Sequence, residues 1–169
     1  MDNIRLCRLE DVFLPENQEV LEEEFQYRNN RWHKEMSFEQ WKENYYKGYI
    51  NERDSYKQLC QQFKDWKVEW LDPNHDYVVH KTTAGASADF KITAPSGLEV
   101  YIDAKVTYWP NEIRVYGDTE KMVYYKLHNC TAVVGMYNDT LTLGYVKDGT
   151  IKRSWQGVPY LSIPTKPCL

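Results

Sequence analysis

The chain has 169 residues, of which 42% are hydrophobic and 27% charged, and its formal net charge is −4 at pH 7. This length and composition fit one folded domain with its own core. The negative balance argues against a protein that coats nucleic acid non-specifically, although it leaves room for a local basic groove. Fourteen Tyr and six Trp are a high aromatic load, and such rings fill cores or stack on bases.

Cysteine spacing and hydropathy exclude two further classes. The four cysteines are far apart and form no CxxC pair, which argues against a zinc cage and favours reduced thiols. No apolar run approaches the roughly 20 residues that span a bilayer, and no signal peptide opens the chain. We therefore expect a soluble, cytoplasmic protein without a membrane partner.

The first 50 residues are predicted to form a helical N-terminal segment. An acidic stretch that begins near Pro15 has helical character, and Ser37 with Gln40 forms a capping-box pattern that starts the next helix. We expect Gly48 to weaken or end that helix. Asn51 is then a good N-cap for another helix, whose positions 56, 59, 60 and 63 form an apolar stripe.

From Lys67 onward the pattern changes to strands. Strands are predicted for "KVEWL", "DYVVHK", residues 88–94, residues 98–107, "TAVVGMY", "LTLGYV" and "TIKRSW". A helix over "GDTEKMVYYKLHNC", capped by Asp118, can carry the crossover into a buried parallel strand at "TAVVGMY". The tail "VPYLSIPTKPCL", residues 158–169, has three prolines and is expected to be irregular. The order of elements indicates a single mixed α/β (α+β) domain.

The stretch "SADFKITAPSGLEVYIDAK" predicts a hairpin with a defined register. A three-residue loop "PSG" with Gly97 at the left-handed position makes Ala94 face Leu98. Continued along the ladder, this register sets Asp89 directly opposite Asp103, and polar and apolar residues then match along both strands. A slip by one residue would reverse the two faces.

Two carboxylates that face each other are destabilising, but a cation between them reverses the sign, and hard divalent ions choose carboxylate oxygens. Lys105 projects from the same side as Asp103 and could hold or activate a water. Glu52 falls on the apolar stripe of its helix, so it is either a dipole-stabilised cap residue or a carboxylate aimed at the sheet. The simpler alternative for the strands is a solvated face, on which Lys91 and Lys105 neutralise the acids.

Glu52, Asp89, Asp103 and Lys105 resemble the motif of the PD-(D/E)xK nuclease superfamily, in which a helix and two antiparallel strands carry these groups and a helix and a strand follow. The resemblance covers residues 51–137 and leaves the strands and tail of 138–169 outside it. Ala88 stands where the family has Pro, and Asp103 stands where Glu is commoner.

The resemblance implies a restriction-endonuclease-like mixed sheet flanked by helices, and a Mg²⁺-dependent endonuclease that Mn²⁺ could also serve. It implies that Glu52, Asp89, Asp103 and the carbonyl of Ala104 bind the metal and that Lys105 assists the attacking water. The same resemblance is compatible with a homodimer, because duplex cleavage often uses one active site per strand.

We therefore expect a nuclease that hydrolyses phosphodiester bonds in DNA. The basic residues expected along the nucleic-acid path are Lys81, Lys91, Arg114, Lys121 and Lys126. An RNA-directed nuclease of the same fold is one alternative. Another class is a non-catalytic binding or inhibitory protein that meets a protein partner through its aromatic surface, since aromatic residues are common interface anchors.

Overall fold

A computed structural model describes residues 4–5, 15–19, 21–23, 25–26, 36–71, 76–77, 88–127 and 129–168. The chain divides into two compact units, Met1–Ile50 with Asp72–Ala84 and Asn51–Leu71 with Gly85–Leu169. The first unit contains the antiparallel pair β1 (Ile4–Arg5) and β3 (Asp76–Tyr77), a 3-10 turn (Pro15–Asn17), and helical residues at 18–19, 21–23 and 25–26.

One helix, α1 (Phe38–Gln62), runs for 25 residues. The hydroxyl of Ser37 accepts a 3.1 Å hydrogen bond from the N–H of Gln40, which confirms the predicted cap. The expected break at Gly48 and the new start at Asn51 are wrong. A glycine costs only about 1 kcal/mol in a helix interior, and packing of the helix offsets that amount. Asn51 is buried instead, and its Oδ1 accepts a 2.9 Å hydrogen bond from the N–H of Met136.

The second unit is built on a six-stranded mixed sheet in the order β11-β8-β7-β5-β4-β2. Its strands are β2 (Lys67–Trp70), β4 (Phe90–Thr93), β5 (Glu99–Ala104), β7 (Ala132–Tyr137), β8 (Thr140–Tyr145) and β11 (Lys166–Pro167). Strands β5 and β7 are parallel and all other neighbours are antiparallel. The predicted α+β class, with a parallel strand reached by a crossover, is confirmed.

One face of this sheet packs against α1 from Asn51 onward. Leu59 of the helix is fully buried against Phe90, Ile92 and Ile102 of the hairpin strands. Tyr56 and Phe63 extend the same contact, so the apolar stripe predicted from helical spacing does face the core. None of the helices in the described residues is long and apolar enough to cross a membrane.

The other face is covered by a second layer. This layer contains the antiparallel sheet β6-β10-β9, with β6 (Glu112–Tyr116), β9 (Thr150–Arg153) and β10 (Pro159–Pro164), and the helix α2 (Glu120–Tyr125). Val133 of β7 packs among its apolar side chains. The tail expected to be irregular therefore forms β10, with its prolines at the strand ends. The cap of α2 is Thr119, not Asp118, and its hydroxyl accepts from the N–H of Met122.

Candidate active site

The hairpin of β4 and β5 has the predicted register. Its paired residues are Phe90 with Ile102, Lys91 with Tyr101, Ile92 with Val100, and Thr93 with Glu99. The N–H of Ala94 donates a 2.8 Å hydrogen bond to the carbonyl of Leu98, and Gly97 has a φ of 91°. The loop "PSG" and the alternation of the strands therefore placed the polar residues on one face correctly.

Asp89 lies in a bend just before β4 rather than in the ladder. Its N–H donates to the carbonyl of Ile102 and its own carbonyl accepts from the N–H of Leu71. Its Oδ2 accepts a 2.8 Å hydrogen bond from the N–H of Ala104. Asp89 and Asp103 are therefore not a main-chain pair of the two strands, and Asp89 approaches Asp103 through its side chain.

Three of the predicted acids meet at this end of the hairpin. The carboxyl of Asp89 interacts with the carboxyls of both Asp103 and Glu52, and these interactions shift its pKa. Asp103 and Glu52 are only 5% and 7% exposed. The Nε1 of Trp70 donates a 2.9 Å hydrogen bond to Oε2 of Glu52. Because α1 continues through this position, Glu52 is aimed at the sheet and is not a cap residue.

Lys105 brings an ammonium group to the cluster. Its Nζ lies 2.6 Å from Oδ2 of Asp103, a buried oxygen that accepts no well-aligned hydrogen bond. The alternative of a solvated face is wrong for Asp103, because its carboxylate is buried. Lys91 does not neutralise these acids either, since its Nζ pairs with Glu99 at 3.1 Å.

Burial and mutual repulsion raise the proton affinity of the carboxyls. Burial, followed by the charge of Glu52, raises the pKa of Asp89 to about 7, against the opposing effects of Asp103 and Lys105. Burial also raises the pKa of Asp103 well above its usual range, with Lys105 opposing and Asp89 adding to the shift. Loss of hydration is the largest single effect on Lys105 and would lower its pKa, but the charge and hydrogen bond of Asp103, together with Asp89 and Cys130, outweigh it and the pKa is raised. Lys105 is therefore a cation at neutral pH.

Two neighbours of the cluster, Trp70 and Cys130, could not be identified from the sequence pattern. Trp70 was predicted only as a strand residue, although its indole N–H fixes Glu52. Burial, together with the nearby charges of Asp103 and Asp89, raises the pKa of the Cys130 thiol to about 12, while Lys105 opposes the shift. The thiol is therefore neutral beside the carboxylates. Both residues are separated from their partners by many positions, so no local spacing could have indicated these contacts.

The predicted nucleic-acid contacts are only partly available. Besides Lys91, Arg114 pairs with Glu112, and Nζ of Lys126 donates a 2.7 Å hydrogen bond to the carbonyl of Tyr116. Lys121 is exposed on α2, and Lys81 lies outside the described residues. These cations therefore do not by themselves mark out a binding path.

The oxygen atoms around Asp89 are of the chemical type that a hard divalent ion takes. Ala104 directs its N–H to Asp89, and the carbonyl of a strand residue points to the same side of the strand as its N–H. Two carboxylates and this carbonyl are the oxygen ligands that Mg²⁺ takes together with water. Within the described ranges, no three Asp, Glu, His or Cys side chains surround one point that would hold a metal ion.

Compared with known protein families, curated proteins and solved structures, the chain has no match. The resemblance to the PD-(D/E)xK enzymes therefore stays a prediction from the motif residues Glu52, Asp89, Asp103 and Lys105.

Proposed function

We propose that this chain is a Mg²⁺-dependent nuclease of the PD-(D/E)xK type that hydrolyses phosphodiester bonds in DNA. One observation carries the proposal: the carboxyls of Glu52, Asp89 and Asp103 meet at one end of the hairpin beside the ammonium of Lys105. Carboxyl groups this close share protons or bind a cation, because like charges cannot all ionise together. A divalent ion supplies the missing positive charge.

The roles follow from the contacts of each side chain. Asp89 and Asp103 would hold the ion together with the carbonyl of Ala104. Glu52 would contribute a third carboxylate, whose position is set by the hydrogen bond from the indole of Trp70. When bound, Mg²⁺ polarises the phosphate, lowers the pKa of a water and shields the leaving oxygen. Because Mg²⁺ keeps several waters and needs only one or two carboxylates, a complete cage of side chains is not required.

Lys105 would act as a fixed positive charge. Its raised pKa keeps the ammonium protonated at neutral pH, so it does not serve as the general base. An ammonium in this place can orient the attacking water and stabilise negative charge that develops on the phosphate. This role refines the expectation that Lys105 either activates or orients water.

A cleavage assay tests the proposal. Supercoiled plasmid, single-stranded DNA and RNA oligonucleotides are incubated with wild-type protein in Mg²⁺, Mn²⁺ or EDTA. Asp103→Asn and Lys105→Ala should each lower the rate by roughly 100- to 1,000-fold, the scale of losing one group that stabilises transition-state charge. Asp148→Asn and Lys147→Ala change the same residue types at exposed positions and should leave the rate unchanged.

The alternatives predict different results in the same assay. Wild-type protein that cleaves nothing with either metal would contradict a nuclease and favour the non-catalytic binding protein. Equal cleavage by the cluster variants and their exposed controls would show that the activity comes from elsewhere. Cleavage of RNA without cleavage of DNA would favour the RNA-directed nuclease.

A further inference from the structure

A second site lies on the three-stranded sheet, away from the carboxylates. A cleft with a volume of about 510 Å³ opens there, and its main lining residues are Trp109, Arg114, Tyr116, Arg153, Trp155 and Tyr160. Among the described residues, no carboxylate lines this cleft, although the whole chain has a net charge of −4. Both guanidinium groups pair with carboxylates just outside the lining, Arg114 with Glu112 and Arg153 with Glu120, so the cleft is distinguished by its aromatic rings.

The rings and one guanidinium group are already stacked on one another. The guanidinium carbon of Arg114 lies 4.1 Å from the ring centre of Trp109 and 4.8 Å from that of Tyr160. The ring centres of Tyr116 and Tyr160 are 5.1 Å apart. Such an arrangement offers ordered π-faces and a cation to a flat ligand, and little side-chain freedom remains to be lost on binding.

Trp155 is a highly exposed aromatic residue of the cleft. It is 93% exposed and lies in the turn between β9 and β10. The turn is closed by two hydrogen bonds, from the N–H of Ser154 to the carbonyl of Val158 and from the N–H of Gly157 to the carbonyl of Ser154. An indole that is held out in water on a short, closed turn contributes little to the core.

The cleft is tied closely to the carboxylate cluster by the chain itself. Trp109 follows Lys105 by only four residues, and an extended chain spans at most about 3.6 Å per residue. The two backbones are therefore within about 14 Å of each other. A strand whose bases lie in the cleft would carry its phosphates within reach of the cluster.

From this geometry we infer that the cleft binds unpaired nucleobases, so that the substrate is nucleic acid with a single-stranded segment next to the bond to be cleaved. Every base has a π-face that stacks on Trp and Tyr, and cation–π contact with an Arg guanidinium adds to such stacking. A fully paired duplex hides these base faces within its own stack. The cleavage part of the inference rests on the proposed nuclease, whereas the binding part does not.

Fluorescence anisotropy in EDTA tests the binding part without cleavage. The probes are a labelled DNA strand of about 15 nucleotides, within the site sizes of single-strand binders, and its blunt duplex. Wild-type protein should bind the single strand more tightly than the duplex. Trp155→Ala should weaken single-strand binding by roughly 5- to 150-fold, as expected for loss of one stacked base. Tyr145→Ala removes a ring that is 49% exposed outside the cleft and should bind as wild type.

The outcomes separate this inference from the proposed nuclease. No binding, equal binding of both probes, or unchanged binding by Trp155→Ala would overturn the inference, even if the protein cleaves DNA. Single-strand binding that depends on Trp155, in a protein that cleaves nothing, would support the cleft and overturn the nuclease. If both hold, Asp103→Asn should retain single-strand binding while it loses cleavage.

Discussion

The main-chain N–H of Ala104 donates a 2.8 Å hydrogen bond to the carboxylate of Asp89, which lies 15 residues earlier in the chain. Strand β4 begins at Phe90, so at the end of β5 the carboxylate of Asp89 accepts the hydrogen bond that a main-chain carbonyl would accept in a longer strand. This bond fixes one acid relative to the strand that carries Asp103 and leads into Lys105. The backbone of β5 thus sets the position of all three groups.

The first prediction concerns stability and pH in metal-free protein. The pKa of Asp89 is raised from its ordinary value of 3.8 to about 7 in the folded chain, so the folded state holds the proton more tightly than the unfolded state. The free energy of unfolding should therefore fall as pH rises from about 4 to about 7, by up to about 1.4 kcal/mol per pH unit from this group. Urea unfolding at several pH values measures the slope.

The matched variants for this test are Asp89→Asn and Asp148→Asn. The amide oxygen of Asn can still accept from Ala104, but it does not titrate, so Asp89→Asn should be more stable than wild type near pH 8 and should reduce the slope to the part contributed by the raised pKa of Asp103. Asp148 is exposed, and its variant should keep the wild-type slope. A wild-type slope that Asp89→Asn leaves unchanged would contradict the raised pKa.

Much of the candidate site could be predicted because its signals are local. The loop ending in Gly97 and the strict alternation of the strands fixed the register, and helical spacing assigned Glu52 to the face that carries Leu59. In each case the pattern lies within one short stretch, and it determines which way the side chains of that same stretch point. The resulting convergence of the three acids needed only the hairpin and α1.

The rest depends on contacts between distant segments. Strand β10 pairs Tyr160 with Tyr116, more than 40 residues away in sequence, and this pairing overrides the proline-rich composition of the tail. The layer that it forms packs on Val133, in the strand predicted to be buried on both faces. The contact of Trp70 with Glu52 is likewise tertiary. No periodicity within one segment contains this information.

The second prediction concerns metal binding. Mg²⁺ should stabilise wild-type protein, by about 1.4 kcal/mol when its concentration is tenfold above the dissociation constant. The effect should be larger at about pH 8 than at about pH 6, because Asp89 must lose its proton to bind the ion. Thermal unfolding with MgCl₂, against KCl of equal ionic strength, measures it. Asp103→Asn should lose the stabilisation, and an equal gain in that variant would place the metal elsewhere.

The third prediction separates the structural and chemical roles of Lys105. Lys105→Met leaves the buried carboxylate of Asp103 without its partner and should lower the free energy of unfolding by about 3 kcal/mol or somewhat less, because the lysine side chain is 29% exposed. The loss should be smaller at low pH, where Asp103 is protonated. The double variant Asp103→Asn/Lys105→Met should regain most of the stability.

Cleavage should not return with that stability. If the two groups act in the reaction, the double variant is folded and inactive, which excludes unfolding as the reason for inactivity. Urea unfolding and the plasmid assay on the same preparations give both quantities. An active double variant would contradict the proposed roles of Asp103 and Lys105, whatever its stability.

The fourth prediction concerns the close packing behind the site. A Cβ added at Gly135 in β7 would overlap both the hydroxyl of Thr107 and the carbonyl oxygen of Lys105. The hydroxyl could rotate away, but the carbonyl belongs to the backbone that carries the Lys105 side chain. Gly135→Ala should therefore destabilise the protein by about 1–3 kcal/mol and should also slow cleavage by shifting Lys105 away from Asp103.

Gly48→Ala provides the matched control for this substitution. Gly48 lies inside α1 and a Cβ there would meet nothing within 4 Å, so alanine should stabilise the helix by about 0.5–1 kcal/mol and leave cleavage unchanged. Adding Thr107→Ala to Gly135→Ala removes the overlapping hydroxyl and should recover little, because the overlap with the backbone carbonyl of Lys105 remains. Full activity and stability in Gly135→Ala would show that β7 and the segment at Lys105 are not packed as described.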